Sequence, residues 1–303
     1  MPPESLVVVD ATALVYRAYH AGADHTAQDG RQVGAVLTLS QTVSRWVSRA
    51  KSRHFAIVFD PPGVSFRHAI DPAYKASRKT PPQDLVDQVA LAQQMTEALG
   101  LATFCLPGFE ADDLAATLTR AARDAGLSVW LVSPDKDLFQ LVEDAAPTVR
   151  VFRPKQKVVV DDAKVHEILG VGAAHVVDYQ SLVGDSSDDV AGIKGIGPKA
   201  AAALITAFGG LDAIYTDLER VKHLELRGSA RLHDLLQTGR DAASHARTLL
   251  ALRPDAPIEG IEDIRARTRW VGPTTAAPTV FRELGFRRAL DTLTYLSTSR
   301  QNG

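Results

Sequence analysis

The sequence has one cysteine and lacks any long apolar run. Cys105 has no second cysteine to pair with in the 303-residue chain, which excludes an intramolecular disulfide, and no cysteine and histidine residues have the spacing of a zinc site. The N-terminus has neither the basic region nor the apolar stretch of an export signal. No run of about 18 apolar residues occurs elsewhere. We therefore expect a cytoplasmic protein with no membrane segment.

An excess of charge of one sign is also missing. The formal net charge of −2 argues, taken alone, against a nucleic-acid partner. The basic residues are nevertheless clustered, since Arg67, His68, Lys75, Arg78 and Lys79 fall within thirteen residues. Local clusters, rather than net charge, make a phosphate-binding surface. For any single cluster, a solvated protein face is the alternative interpretation.

The first half of the chain alternates strand-like and helix-like segments. Predicted strands cover 6–10, 55–60, 102–105 and 128–132, followed by a hairpin of 148–152 with 157–160, and predicted helices cover 33–50, 85–99, 112–125 and 136–141. This alternation predicts an α/β fold with a mostly parallel central sheet flanked by helices. We predict a core of residues 1–160, followed by a mostly helical region of residues 161–303.

The pattern breaks between Pro61 and Pro82. This stretch is bounded by proline pairs, is rich in basic residues and contains Phe66 and Tyr74 as isolated aromatic residues. A connection of this length inside a compact domain is usually functional or disordered.

Nine carboxylates form five compact groups, each at or near the end of a predicted strand or the start of a predicted helix. They are Asp10; Asp60; Glu110, Asp112 and Asp113; Asp135 and Asp137; and Asp185 and Asp188. In open α/β folds the carboxyl ends of parallel strands share one crevice, so these groups can converge there. So many anions would repel one another and take up protons unless divalent cations neutralised them. Ligands that offer only oxygen favour Mg²⁺ or Mn²⁺.

Each group has a simpler interpretation when it is taken alone. Asp10 and Asp135 can serve as helix N-caps, and the GDSSD stretch that ends at Asp188 can be a tight turn bonded to its own backbone. The three carboxylates of residues 110–113 exceed what capping needs. Together, the five groups can serve two ions about 4 Å apart, which would activate a water molecule and stabilise both oxygens of a phosphoryl displacement.

A glycine-rich turn follows at residues 192–199, with the sequence GIKGIGPK. Gly195 and Gly197 bend the chain, Pro198 favours the first turn of a helix, and Lys194 and Lys199 add positive charge. Such a hairpin directs backbone N–H groups at a phosphate and holds a duplex without reading its sequence. A purely structural helix–turn–helix is the alternative. The dinucleotide-binding fingerprint has a different glycine spacing.

At this point the sequence resembles the 5′-nuclease family, which includes bacterial flap endonucleases and the 5′→3′ exonuclease domain of DNA polymerase I. The matching stretches are VVVDATALVYRAYHA, VFDPPGVSFRHAIDPAYKASR, PGFEADDLAATL, SPDKDLFQLV and LVGDSSDDVAGIKGIGPKAAAAL. They occur in the family's order from about residue 6 to 204, and the resemblance continues more weakly to about residue 295.

The resemblance implies a helical arch at about 61–95, through which single-stranded DNA passes, and a helix–hairpin–helix at about 184–208. It places Asp10, Asp60, Glu110, Asp112 and Asp113 around a first metal ion, and Asp135, Asp137, Asp185 and Asp188 around a second. Lys75 and Arg78 match a basic pair that meets the scissile phosphate, so that the implied catalytic residues are Lys75, Arg78, Asp10, Asp112 and Asp135. The implied DNA contacts are Tyr16, Arg17, Arg67, Tyr74, Lys75, Arg78, Lys194, Gly195, Gly197 and Lys199. The family also binds K⁺ through hairpin carbonyls, which makes the 192–199 turn a candidate K⁺ site.

Three positions depart from the family pattern. Asp189 stands where the family usually has Asn, Ala191 where it often has Pro, and Ala11 where Gly follows the first Asp. The extra charge makes Asp189 a candidate additional metal ligand.

The resulting expectation is a monomeric, divalent-metal-dependent 5′ nuclease of replication and repair, acting without sequence specificity on DNA with 5′ flaps, nicks or recessed 5′ ends. A non-catalytic junction-binding protein is one alternative, although it would gain nothing from concentrating negative charge beside DNA. An RNA-directed acidic-site nuclease is another, although it would lack the basic arch and the hairpin. The chain ends at residue 303, too early for a polymerase domain, which favours a standalone enzyme over a fragment of a larger polymerase.

Overall fold

A six-stranded, mostly parallel sheet forms the centre of the molecule in the computed structural model, which describes residues 4–50, 52–286, 290–294 and 298. Its strands are β1 (Ser5–Asp10), β2 (His54–Phe59), β3 (Ala102–Cys105), β4 (Ser128–Val132), β5 (Val149–Arg153) and β6 (Val158–Val160). They lie in the order β3-β2-β1-β4-β5-β6, and only the β5–β6 pair is antiparallel. The predicted α/β class and the predicted hairpin are confirmed.

Strand β1 is buried along its whole length because its apolar residues face helices on both sides of the sheet. It pairs with β2 and with β4, since Leu6 is opposite both His54 and Val129. The chain extends the sheet from β1 towards β3 first and only then, with β4, in the other direction. This reversal opens a crevice beyond the carboxyl ends of β1 and β4, where open α/β folds bind their ligands.

Two layers of helices cover the sheet. The N-terminal helices are α1 (Ala11–His20), α2 (Gly34–Arg49), α3 (Phe66–Ile70), α4 (Gln83–Ala98) and α5 (Ala111–Asp124). One layer contains α1, α2 and α4, with Leu39 and Met95 in its core, and the other contains α5, with Leu114. The predicted helix at 136–141 is a 3₁₀ helix at Asp137–Leu141. Because α3 and α4 occupy part of the predicted arch, its non-helical residues are 61–65 and 71–82.

The C-terminal region is mostly helical and has a core of its own. Its elements are α6 (Asp162–Leu169), α7 (Val176–Val183), the short antiparallel pair β7 (Gly184–Asp185) and β8 (Val190–Ala191), α8 (Pro198–Phe208), α9 (Leu211–Thr216), α10 (Ser229–Thr238), α11 (Arg240–Leu250), α12 (Ile264–Thr268) and α13 (Ala277–Leu284). Leu182, Leu204 and Leu236 lie in this core. Among the described residues, no helix is long and apolar enough to cross a membrane.

The chain returns to the sheet after α11. Ile258 and Ile264 join the core on the α5 side, while Trp270 and Phe281 join the core on the opposite side. The Trp270 ring lies edge-on to Phe55 of β2, with 6.3 Å between their centroids. The end of the predicted helical region is therefore part of the sheet's packing.

Candidate metal centre and nucleic-acid interface

Five carboxylates, which we call the central carboxylates, gather at the crevice beyond β1 and β4. They are Asp10 at the end of β1, Asp60 after β2, Asp112 in the first turn of α5, and Asp135 and Asp137 after β4. Asp10 also caps α1, because the Ala13 N–H donates to its Oδ1 at 3.0 Å. For this residue the capping interpretation is confirmed, and its role as a metal ligand stays a prediction.

Burial and mutual repulsion raise the pKa of most central carboxylates. Burial, reinforced by the charge of Asp60, raises the pKa of Asp10 to about 7. Burial and then the charge of Asp135 raise the pKa of Asp137 to about 7 and the pKa of Asp112 well above its usual range. Burial also raises the pKa of Asp60, whose side chain is solvent-accessible although protein atoms surround it closely. The centre therefore favours any cation that can neutralise these groups.

Neutral hydrogen-bond donors hold three of these side chains in place. The Ser133 hydroxyl donates to Asp10 Oδ2 at 2.6 Å, and the Gln180 amide donates to Asp137 Oδ1 at 2.5 Å. The Ala111 N–H donates to Asp60 Oδ1 at 2.8 Å. The sequence interpretation overlooked Ser133 and Gln180. Ser133 directly follows β4, and this position at a strand end was a signal available in the sequence. Gln180 lies on α7, and only the tertiary fold brings it to the central carboxylates.

Two further predicted ligands, Glu110 and Asp188, pair with cations at the edge of the centre. Lys75 Nζ lies 2.9 Å from Glu110 Oε1 and 3.5 Å from Asp188 Oδ2, and Arg78 Nη2 lies 2.5 Å from Asp188 Oδ1. These pairs place both basic residues of the predicted arch beside the carboxylates. Although burial raises the pKa of Glu110, the charges of Lys75 and Arg67 outweigh it and leave this pKa below its usual range.

Lys136 forms the corresponding ion pair on the other side of the centre. Its Nζ lies 2.9 Å from Asp185 Oδ2, and it was not among the predicted site residues. Its position between Asp135 and Asp137 in the SPDKD stretch was the available signal.

The donor set fits hard divalent cations. Its atoms are carboxylate oxygens, the ligands that Mg²⁺ and Mn²⁺ prefer. Within the described part of the chain, no three such side chains already surround one point as ligands, because several are turned towards the hydrogen-bond donors and cations described above.

Asp113 is paired with Arg67 and not turned towards the central carboxylates, so its role as a ligand stays a prediction that these contacts do not support. Its side chain is completely buried, and Arg67 donates to both of its oxygens, at 2.7 and 2.8 Å. The Arg253 N–H donates to Asp113 Oδ1 at 2.9 Å. Asp112 and Asp113 thus face opposite ways at the start of α5, and only Asp112 faces the centre.

Arg67 and Tyr74 are likewise not placed to contact DNA. Arg67 is 2% exposed, since it binds Asp113 and donates through Nε to the Leu249 carbonyl at 2.7 Å. Tyr74 is 3% exposed, and its hydroxyl donates to Glu110 and to Asp188. Both residues, predicted as DNA contacts, are buried against protein partners in this structure.

Asp189 does not face the central carboxylates. Its Oδ2 accepts the Ser77 N–H at 2.7 Å, and this contact holds its pKa below the usual range. The hypothesis of an additional ligand at this position is therefore not supported.

The turn at 192–197 is anchored by its isoleucines and exposes its lysine and glycines. Ile193 and Ile196 are buried in the helical core, while Lys194, Gly195 and Gly197 are exposed. Gly195 has a φ of 101°, a conformation that favours glycine. Pro198 begins α8 as predicted, and Lys199 is exposed beside it.

Comparison with known proteins decides the family. Residues 5–170 match the family described as 5'-3' exonuclease, N-terminal resolvase-like domain, and residues 171–270 match its C-terminal SAM fold. The chain belongs to the 5′-3′ exonuclease family. The predicted resemblance and the helical C-terminal architecture are thereby confirmed.

Relatives in this family include bacterial DNA polymerases I. The chain is 33% identical to the Pseudomonas aeruginosa enzyme over 296 residues, which are 97% of this chain and 32% of that protein. It is 36% identical to the Treponema pallidum enzyme over 263 residues, or 86% of this chain and 26% of that protein. The chain thus spans about a third or less of these curated relatives.

Solved structures share the fold. A bacteriophage T5 5'-exonuclease with bound zinc ions superposes with a TM-score of 0.67 at 20% identity, covering 97% of this chain and 98% of that one. The T5 flap endonuclease in complex with DNA and metal ions has a TM-score of 0.66 at 20% identity, covering 99% and 100%. The catalytic core of Rad2 with a DNA substrate has a TM-score of 0.59 at 16% identity, covering 97% and 92%.

The predicted roles of Tyr16 and Arg17 of α1 as DNA contacts stay predictions. Tyr16 is half-buried, and burial followed by the charge of Asp60 raises its pKa, so its hydroxyl lies near the centre. Arg17 is also half-buried.

Proposed function

We propose that this chain is a divalent-metal-dependent, structure-specific 5′ nuclease that acts on DNA both as a 5′→3′ exonuclease and as a 5′-flap endonuclease. The observation that carries the proposal is the juxtaposition of the central carboxylates with Lys75 and Arg78. Anionic ligands for metal ions and cations for a phosphate lie side by side at one crevice. A binding-only protein has no use for the carboxylates.

The central carboxylates would hold Mg²⁺ or Mn²⁺, with Glu110, Asp185 and Asp188 joining them. When bound, such ions supply a nucleophile at neutral pH and charge stabilisation for the phosphoryl transfer. Lys75 and Arg78 are half-buried and exposed, respectively, so a phosphate can reach both. Their contribution would be electrostatic stabilisation of charge that develops on the scissile phosphate.

The 192–199 turn would hold the duplex part of the substrate. Lys194 and Lys199 are exposed beside backbone N–H groups of the turn and of the start of α8, which suits a phosphate and reads no base. A K⁺ ion bound by carbonyls of this turn is part of the proposal. The substrates would be DNA with 5′ flaps, nicks or recessed 5′ ends, bound without sequence specificity.

In biological terms, this assigns the chain a cytoplasmic role in replication and repair, in which it acts as a monomer. The T5 flap endonuclease complex with DNA and metal ions and the Rad2 complex with a DNA substrate support the substrate class. The single cysteine is compatible with a reducing compartment.

A labelled-substrate assay tests the proposal. Flap, nicked, recessed and blunt duplexes, labelled at the 5′ or the 3′ end, are incubated with the protein and with Mg²⁺, Mn²⁺ or a chelator. The proposal predicts metal-dependent cleavage at the junction and 5′-phosphorylated ends. Binding of the flap without cleavage in either metal would favour the junction-binding alternative. Equal cleavage of a matched RNA duplex would favour the RNA-directed alternative.

A further inference from the structure

The segment of residues 74–78, which we call the arch base, is fastened to the loop of residues 185–189, which we call the ligand loop. The Lys75 N–H donates to the Asp188 carbonyl at 2.9 Å. The Ser77 N–H donates to Asp189 Oδ2 at 2.7 Å, and Arg78 Nε donates to the Ser187 carbonyl at 3.2 Å. Backbone and side-chain hydrogen bonds thus both tie this segment to the ligand loop. The segment carries Lys75 and Arg78, which we call the arch cations.

Both sides of this junction have an unusual backbone. Lys75 has a φ of 55° and Asp189 a φ of 57°; in the described chain, only one other non-glycine residue, Lys157, has a positive φ. Residues with a side chain avoid this left-handed conformation, which Asp and Asn adopt more readily than most. These two residues lie on the two sides of the junction, so the hydrogen bonds across it hold both backbone conformations in place.

We propose that Asp189 is a positioning residue that fixes the arch base, so that Lys75 and Arg78 stay beside Glu110 and Asp188. Its acceptor oxygen binds the backbone of Ser77, which lies between the two cations in the chain. This contact needs an acceptor and no negative charge, whereas a ligand role would need the carboxylate. The inference rests on the proposed nuclease function.

A second observation supports the arch base as one packed unit. Tyr74 packs against Val190, which follows Asp189, and against Leu249 and Leu250 of α11. Its hydroxyl donates to Asp188 Oδ2 at 2.9 Å. The aromatic ring therefore holds one end of the arch base, and Asp189 holds its middle through Ser77.

Three substitutions at one position separate the possible roles. Asp189→Asn removes the charge and keeps an acceptor. Asp189→Gly removes the acceptor and tolerates the positive φ, and Asp189→Ala removes the acceptor and strains the backbone. The full-length chain is used throughout. The readouts are the single-turnover rate on a 5′-flap, the Mg²⁺ concentration for half-maximal rate, and amide hydrogen exchange of residues 74–78 in a chelator without DNA.

The Asn variant is expected to keep the wild-type rate within about twofold, and the Gly and Ala variants to lose about tenfold, near the upper end of what one hydrogen bond to a neutral acceptor supports. The Mg²⁺ requirement stays unchanged, and exchange of the arch base accelerates only in Gly and Ala. Wild-type rate and exchange in the Gly variant would overturn the proposal, and so would an Asn variant that loses as much rate as Gly or needs more Mg²⁺.

Hydrogen exchange keeps the test independent of catalysis. Should the wild-type protein leave the flap uncut, the proposed nuclease function fails, while the exchange of residues 74–78 still shows whether Asp189 fastens the arch base. Should the Gly and Ala variants fail to fold, the rate and Mg²⁺ requirement of the Asn variant still separate an acceptor from a ligand.

Discussion

Arg67 and Asp113 form a two-pronged ion pair in which both side chains are almost completely buried, with N–O distances of 2.7 and 2.8 Å. The arginine lies on α3, and the aspartate lies 46 residues later at the start of α5. Arg67 also donates to the carbonyls of Leu249 in the last turn of α11 and of Ala251 just after it. The pair joins the arch segment, the sheet's helix layer and the helical region at one point.

If Asp113 has a structural role, breaking this pair lowers the free energy of unfolding, whereas loss of a metal ligand would lower activity alone. Asp113→Ala leaves the buried Arg67 with Glu110, at 3.3 Å, as its remaining ionic partner, and we expect a loss of about 3–5 kcal/mol in the free energy of unfolding, measured with urea. The control is Asp29→Ala, which removes an exposed pair with Arg31 and should leave the urea midpoint unchanged. An Asp113→Ala protein of wild-type stability that binds Mg²⁺ more weakly would contradict the structural role.

The central carboxylates predict an unusual dependence of stability on pH in the absence of divalent ions. The pKa of Asp10 and of Asp137 is about 7 in the folded protein against 3.8 ordinarily, so the folded state holds more protons than the unfolded state between these values. The contribution of these two groups to the free energy of unfolding is therefore fully present below about pH 4, and it is lost as the pH rises towards 7. Thermal unfolding in a chelator across this pH range measures this loss of stability.

Mg²⁺ should reverse this loss. The ion binds the deprotonated carboxylates, so its stabilising effect grows with pH. We expect a larger rise in Tm on adding Mg²⁺ at about pH 8 than at about pH 5. Asp10→Asn, which cannot ionise at this position, should show a smaller pH dependence than the wild type. An Mg²⁺-induced Tm shift that is the same at both pH values would contradict the assignment.

The arch cations should contribute to the rate more than to binding. Lys75→Ala or Arg78→Ala removes a positive charge that lies within 2.9 Å of a predicted ligand, and we expect a loss of about 10²–10³ in single-turnover cleavage of a 5′-flap. Lys79→Ala, at an exposed position next to Arg78, is the control and should change the rate less than about threefold. Equal losses in all three variants would show that these residues only attract DNA.

The glycine turn should contribute to binding more than to the rate. Substitution of Lys194 or Lys199 by alanine removes a phosphate contact, and each change should lower the slope of log affinity against log salt by about 1 for a duplex with a 5′-flap. Lys222→Ala is the control, because Lys222 already pairs with Glu219 at 2.7 Å. A salt slope that is unchanged in both turn variants would place the duplex elsewhere.

The sheet and the central carboxylates could be predicted because their signals are local. Apolar runs such as that of β1 end in an aspartate, and parallel strands bring such ends together. The role of Asp113 could not be predicted, since nothing near it in the sequence shows that its partner is Arg67. For the same reason Arg67, which belongs to a basic cluster in the sequence, was predicted to contact DNA, although in the structure it is buried against Asp113. Gln180 was missed because only the packing of α7 brings it to Asp137.

The most direct test of the account is the behaviour of Asp112→Asn. Asp112 faces the centre, and its pKa is raised by burial and by its carboxylate neighbours, so the substitution removes one ligand charge while it preserves the shape of α5. Asp124→Asn, at the exposed far end of the same helix, is the control. We predict that Asp112→Asn loses Mg²⁺-dependent flap cleavage by about 10³-fold or more while duplex binding stays within about threefold. Undiminished cleavage by Asp112→Asn would contradict the central claim.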